Sequence, residues 1–94
     1  MRATPVLKIK EARHGGIVEI VIWRLPGLVP PCTHPYKYRL VFVKSGRRIV
    51  GFDNERGKGD HRHLDEVESP YRFVDIQTLL ADFWREVDSR GDSP

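Results

Sequence analysis

Residues 36–53 read YKYRLVFVKSGRRIVGFD, and the alternation in this stretch decides the fold. Successive side chains of an extended strand point to opposite faces. Tyr36, Tyr38, Leu40 and Phe42 therefore share one side, and Lys37, Arg39, Val41 and Val43 share the other. Ser45-Gly46 breaks the run where a tight hairpin needs a permissive backbone, and RRIVGFD, residues 47–53, returns as the next strand. The side with Tyr38, Leu40 and Phe42 is the expected core. Arg39, together with Arg24, Arg47 and Arg48, is expected on an exposed basic surface.

Upstream, IVEIVIWRL (residues 17–25) is rich in β-branched and aromatic residues, as strands are, with Val18, Ile20 and Ile22 forming one apolar face. VLKIKEA (residues 6–12) alternates less cleanly and reads as a first strand. It is joined through His14-Gly15-Gly16, whose glycines suit the positive φ angles of a hairpin. PGLVPPCTHP (residues 26–35) carries four prolines and must be an irregular connection. Downstream, PYRF (residues 70–73) offers a short edge strand, and Asp75 is a good helix N-cap. Ile76, Leu79, Leu80, Phe83 and Val87 recur at helical spacing through residues 75–88. Leu79, Leu80 and Phe83 are expected against the sheet, with Trp84 closing the edge of the core. The fold class that follows is α+β: an antiparallel meander of four to five strands with one C-terminal helix packed on a face.

Composition sets the outer bounds. Ninety-four residues fit a single domain, and a formal charge of +3 with 31% charged residues permits an anionic partner without requiring one. A lone cysteine, Cys32, supplies no disulfide framework, which suits a reducing compartment. The first residues lack an uninterrupted apolar stretch, and IVEIVIW is too short to cross a bilayer. A soluble cytoplasmic protein with no membrane partner is the expectation. Arg90-Gly91-Asp92 near the end is taken as a chance match to an adhesion tripeptide.

The segment FDNERGKGDHRH, residues 52–63, packs ionisable groups and two glycines into a short window. Ionised groups are costly to bury without partners, so it reads as a loop, either solvated surface or a site for something charged. RNA cleavage by internal attack needs a base for the ribose 2′-OH, a donor for the departing 5′ oxygen and cations around the phosphate. His61 and His63, two apart, can share one side of an extended chain and divide the first two tasks. Lys58 and Arg62 could hold the phosphate, and Asp60 or Asp53 could orient an imidazole. A third reading is a mixed nitrogen and oxygen metal site from His61, His63 and Asp53 or Asp60, with His34 brought over from the proline segment. With only one cysteine available, no metal and no other cofactor is expected.

Taken in order, VEIVIWRLP, YKYRLVFV, GFDNERGKGDHRH, PYRF and LLADFWREV resemble the TumE-type toxin family of prokaryotic toxin–antitoxin pairs, from about residue 3 to residue 88. The most specific block is Phe52, Asp53, Asn54, Gly57, Asp60, His61 and His63. The resemblance implies a single toxin domain over residues 1–88 with a flexible tail at 89–94. Its implied partner is a cognate helix-turn-helix antitoxin, and its target RNA, at the ribosome; a homodimer is compatible with it. Joined to the residue chemistry above, the expected activity is a metal-independent endoribonuclease, with His61, His63 and Asp60 catalytic and Lys58, Arg62, Arg39, Asp53 and Asn54 contacting substrate. The alternative is a non-catalytic module that binds nucleic acid or a protein.

Overall fold

The computed structural model describes residues 3–28, 33–54 and 59–91. Among these residues six strands, β1 (Thr4–Arg13), β2 (Gly16–Arg24), β3 (Tyr36–Lys44), β4 (Arg47–Asp53), β5 (His61–Leu64) and β6 (Val67–Pro70), precede one helix, α1 (Ile76–Gly91). The strands pair in chain order as one antiparallel sheet, β1-β2-β3-β4-β5-β6. The α+β meander expected from the sequence is the observed fold, with six strands in place of four to five. Two corrections account for the difference. His61–Leu64 is a strand where a polar loop was expected, and the last strand ends at Pro70 instead of running through PYRF.

Two hairpins turn through consecutive positive φ angles, His14 (50°) with Gly15 (78°) and Ser45 (54°) with Gly46 (74°), the backbone that matches strand twist in two-residue loops. Gly16 is needed for a different reason. A Cβ there would lie 2.5 Å from the Val43 carbonyl oxygen and 2.8 Å from the Phe42 ring.

One face of the sheet is buried. Val18, Ile20, Ile22, Leu40, Phe42, Val50 and Phe52 are fully excluded from solvent and meet Leu79, Phe83 and Val87 of α1. Leu80, expected in the core, is only partly buried, as is Trp84, which stands edge-on to Phe83 beneath the Arg13 guanidinium. Asp75 caps the helix, its Oδ1 accepting from the Thr78 N–H at 2.6 Å. The helix continues through Ser89 and Arg90 to Gly91.

Among the described residues the opposite face carries no helix, and a bulge alters what it displays. Phe42 pairs with Val50 but Val43 pairs with Arg48, so Ile49 is an extra residue in β4. Strict alternation would put Arg48 on the same side as Val50 and Phe52. The bulge moves it to the open side, where it lies over Gly51; a Cβ on Gly51 would meet Arg48 Cδ at 3.0 Å.

Candidate active site

The open face gathers its polar groups by register. Asp53 at the end of β4 pairs with Arg39 of β3 on one side and with His61 of β5 on the other. His63 pairs with Gly51 and, across β6, with Glu68. Directly paired residues project to the same face, so the side chains of Arg39, Asp53, His61, His63 and Glu68 converge.

The closest contact is between His61 Nε2 and Asp53 Oδ1, 2.5 Å apart. Glu68 Oε2 lies 3.3 Å from His61 Nε2 and 3.2 Å from His63 Nε2. One potential ligand atom from each of Asp53, His61 and His63 falls within 4.8 Å of the others. His61 is 8% exposed, a burial at odds with the open loop expected of this segment. Its ring is held from behind: Nδ1 lies 3.1 Å from the Gly59 carbonyl oxygen. Since a carbonyl only accepts, Nδ1 carries the hydrogen. Gly59 takes φ 78° there, a conformation that favours glycine.

Over this arrangement, the sequence matches the family model described as Toxin TumE from residue 3 to residue 91. The chain belongs to the TumE toxin family. Membership gives it the part of toxin in a toxin–antitoxin pair and, with that part, an antitoxin partner. No curated protein and no solved structure matches it. Among the described residues, no helix is long and apolar enough to cross a membrane.

The remaining sequence-predicted residues of this TumE-family toxin fall elsewhere. Asp60 turns to a separate network, where its Oδ1 accepts from the Tyr38 hydroxyl at 2.7 Å and faces His34 Nε2 at 2.9 Å. His34 Nδ1 accepts from the Tyr36 N–H, so its Nε2 is the donor to Asp60. The ring is stacked on Phe73, with centroids 3.8 Å apart. His34 therefore serves Asp60 and the PYRF segment, away from the His61–His63 pair. Asn54, 1% exposed, accepts from the Tyr38 N–H and donates to the Tyr36 carbonyl, clamping the start of β3. Arg62 projects to the face opposite its histidine neighbours, with Nε 3.4 Å from Ser69 Oγ. Lys58 lies outside the described residues.

Two depressions flank the cluster. One, of about 320 Å³, is lined by Lys37, Tyr38, Arg39, Arg48, Asp53 and Asn54. The other, of about 330 Å³, is lined by Asp60, His61, Glu68, Ser69 and Pro70. Sequence reasoning placed Arg48 with Arg39 on an exposed basic surface, but named neither Arg48 nor Glu68 as part of the site. Arg48 arrives through a bulge that no alternation pattern reveals, and Glu68 through pairing with β5, a strand too short and polar to read as one.

Proposed function

We propose that this toxin acts on RNA at the open face of its sheet, as an endoribonuclease linked to translation, and that a helix-turn-helix antitoxin restrains it. The observation that carries this reading is the convergence of Asp53, His61 and His63 beside a depression rimmed by Lys37, Arg39 and Arg48. Exposed arginines on a sheet surface attract and orient the phosphate backbone. Directly beside them the carboxylate and imidazoles supply groups able to carry chemistry at that phosphate. In this reading Arg39 and Arg48 hold the phosphate and the Asp53–His61–His63 group carries the reaction.

Induced expression in a bacterial host, with total RNA followed by primer extension, tests this. The wild type should arrest growth and leave new RNA 5′ ends, whereas His61→Ala, His63→Ala should do neither while remaining folded. Arrest at the wild-type level by the folded double variant would exclude the cluster as the reactive centre. RNA binding without new ends in the wild type would favour the non-catalytic alternative, a module that uses the basic rim alone.

A further inference from the structure

We propose that Asp53, His61 and His63 form a binding site for a divalent transition-metal ion of the Zn²⁺ class. The first support is the tautomer of His61. With the ring hydrogen on Nδ1 and directed at the Gly59 carbonyl, the neutral imidazole presents its lone pair at Nε2. Asp53 Oδ1 lies 2.5 Å from that Nε2 and, among the described residues, is a buried oxygen with no hydrogen-bond partner. Two acceptor atoms thus lie in close contact inside the protein, an arrangement that calls for a cation. The hydrogen bond from the far nitrogen to a backbone carbonyl is also the outer-sphere support that metal-binding histidines commonly have.

The second support is the donor set. Two imidazoles and one carboxylate suit zinc and its neighbours better than magnesium, which prefers oxygen ligands. Bonds of about 2.0–2.1 Å in a tetrahedral site put ligand atoms about 3.3 Å apart. The donor atoms of Asp53, His61 and His63 lie within 4.8 Å of one another, close to that spacing, and Glu68 Oε2 adds an acceptor 3.3 and 3.2 Å from the two Nε2 atoms. The His61–Asp53 approach has to widen on binding. Three protein ligands leave a position for water or a phosphate oxygen, with the half-exposed Glu68 beside it. The sequence-based expectation of no metal rested on the shortage of cysteine, and this donor set needs none.

Metal binding here does not depend on RNA; only the role of the ion, neutralising the phosphate held by Arg39 and Arg48, rests on the proposed function. The full-length chain, stripped with chelator, is titrated with Zn²⁺ by calorimetry and with Co²⁺ by visible absorption. The expected result is one saturable equivalent, with a Co²⁺ ligand-field band showing nitrogen coordination. His63→Ala and Asp53→Asn should each weaken binding by at least about ten-fold, no less than loss of a ligand's outer-sphere partner typically costs. His14→Ala, at the β1–β2 turn, should leave it unchanged. Melting curves establish that each variant folds. If Asp53→Asn does not fold, the more open His63→Ala and the wild-type Co²⁺ spectrum decide. No saturable binding by the wild type, or equal binding by folded His63→Ala, overturns the site and leaves a proton as the cation between His61 and Asp53. Metal binding without action on RNA overturns the proposed function and leaves the metal site standing. RNA cleavage by a protein that binds no metal does the reverse.

Discussion

Asn54 shows how a single polar side chain can be spent on architecture directly beside the ionisable groups of the candidate site. Its Oδ1 accepts from the Tyr38 N–H at 2.9 Å, and its Nδ2 donates to the Tyr36 carbonyl at 2.7 Å, in a position 1% exposed. Truncation to alanine strips both backbone groups of these bonds, and an unsatisfied buried polar group costs about 1–3 kcal/mol. Asn54→Ala should therefore lower stability by about that amount in a urea melt, and a loss under about 0.5 kcal/mol would show that water replaces the amide. At this scale the sequence was legible in part. Asp53, His61 and His63 could be singled out because their chemistry is written in their side chains. That Asn54 clamps β3, or that Asp60 bonds to Tyr38 and His34, depends on which way the chain turns after β4. Alternation carries no information about that turn. Gly16 was likewise readable as a turn glycine, but its role is close approach to Val43 and Phe42.

Among the elements, α1 carries polar contacts whose groups titrate in opposite directions. The Tyr71 hydroxyl, in the segment that follows β6, donates to Asp82 Oδ2 in the middle of the helix at 2.6 Å. Burial first, and then that hydrogen bond and the charge of Asp82, push the phenol well above its ordinary value of 10.0. Below pH 10.0 both folded and unfolded chains keep the phenol neutral. As pH rises beyond that, only the unfolded chain ionises readily, so stability falls. Tyr71→Phe should flatten this alkaline decline in a series of thermal melts; an unchanged slope would mean that the phenol is not protected.

At the acid end the signs reverse. The Thr78 N–H at the helix cap holds the Asp75 carboxyl below its ordinary 3.8. The hydrogen bond from His14 does the same for Asp88, against the opposing effect of burial and with Arg13 alongside. Both contributions are fully present above pH 3.8 and are lost as pH falls through the lower folded values. Asp75→Asn, Asp88→Asn should melt with a shallower acid dependence below pH 3.8, and an unaltered dependence would place the acid-sensitive contacts elsewhere. The helix, β2 and β3 were legible because each has a long periodic apolar face, while β1 alternates less cleanly and β4 was read from the Ser45-Gly46 hairpin that leads into it. β5 and β6 were not, because four-residue strands such as HRHL and VESP show no periodicity above that of a polar loop.

At the scale of the whole sheet, the described residues cover one face and leave the other open and cationic. Lys8 and Lys10 pair with Val21 and Glu19, which pair with Arg39 and Val41. The open side thus runs from these lysines through Lys37, Arg39 and Arg48 to the Asp53–His61–His63 cluster, with Glu19 the acidic residue along the way. The net charge of +3 and an exposed basic surface with Arg39 and Arg48 were visible in the sequence, but the β4 bulge that brings Arg48 to the side of Arg39 was not. An antitoxin that silences the site has reason to cover this surface with acidic groups, and steering between opposite charges is weakened by salt. Co-expression with the product of the adjacent gene should give a complex that survives gel filtration. Its affinity should fall as salt is raised and fall again in Arg39→Glu, Arg48→Glu, with the toxin fold intact by circular dichroism. A complex indifferent to both salt and the charge reversal would place the antitoxin on another surface, and restraint of the toxin would then have to act from outside the site.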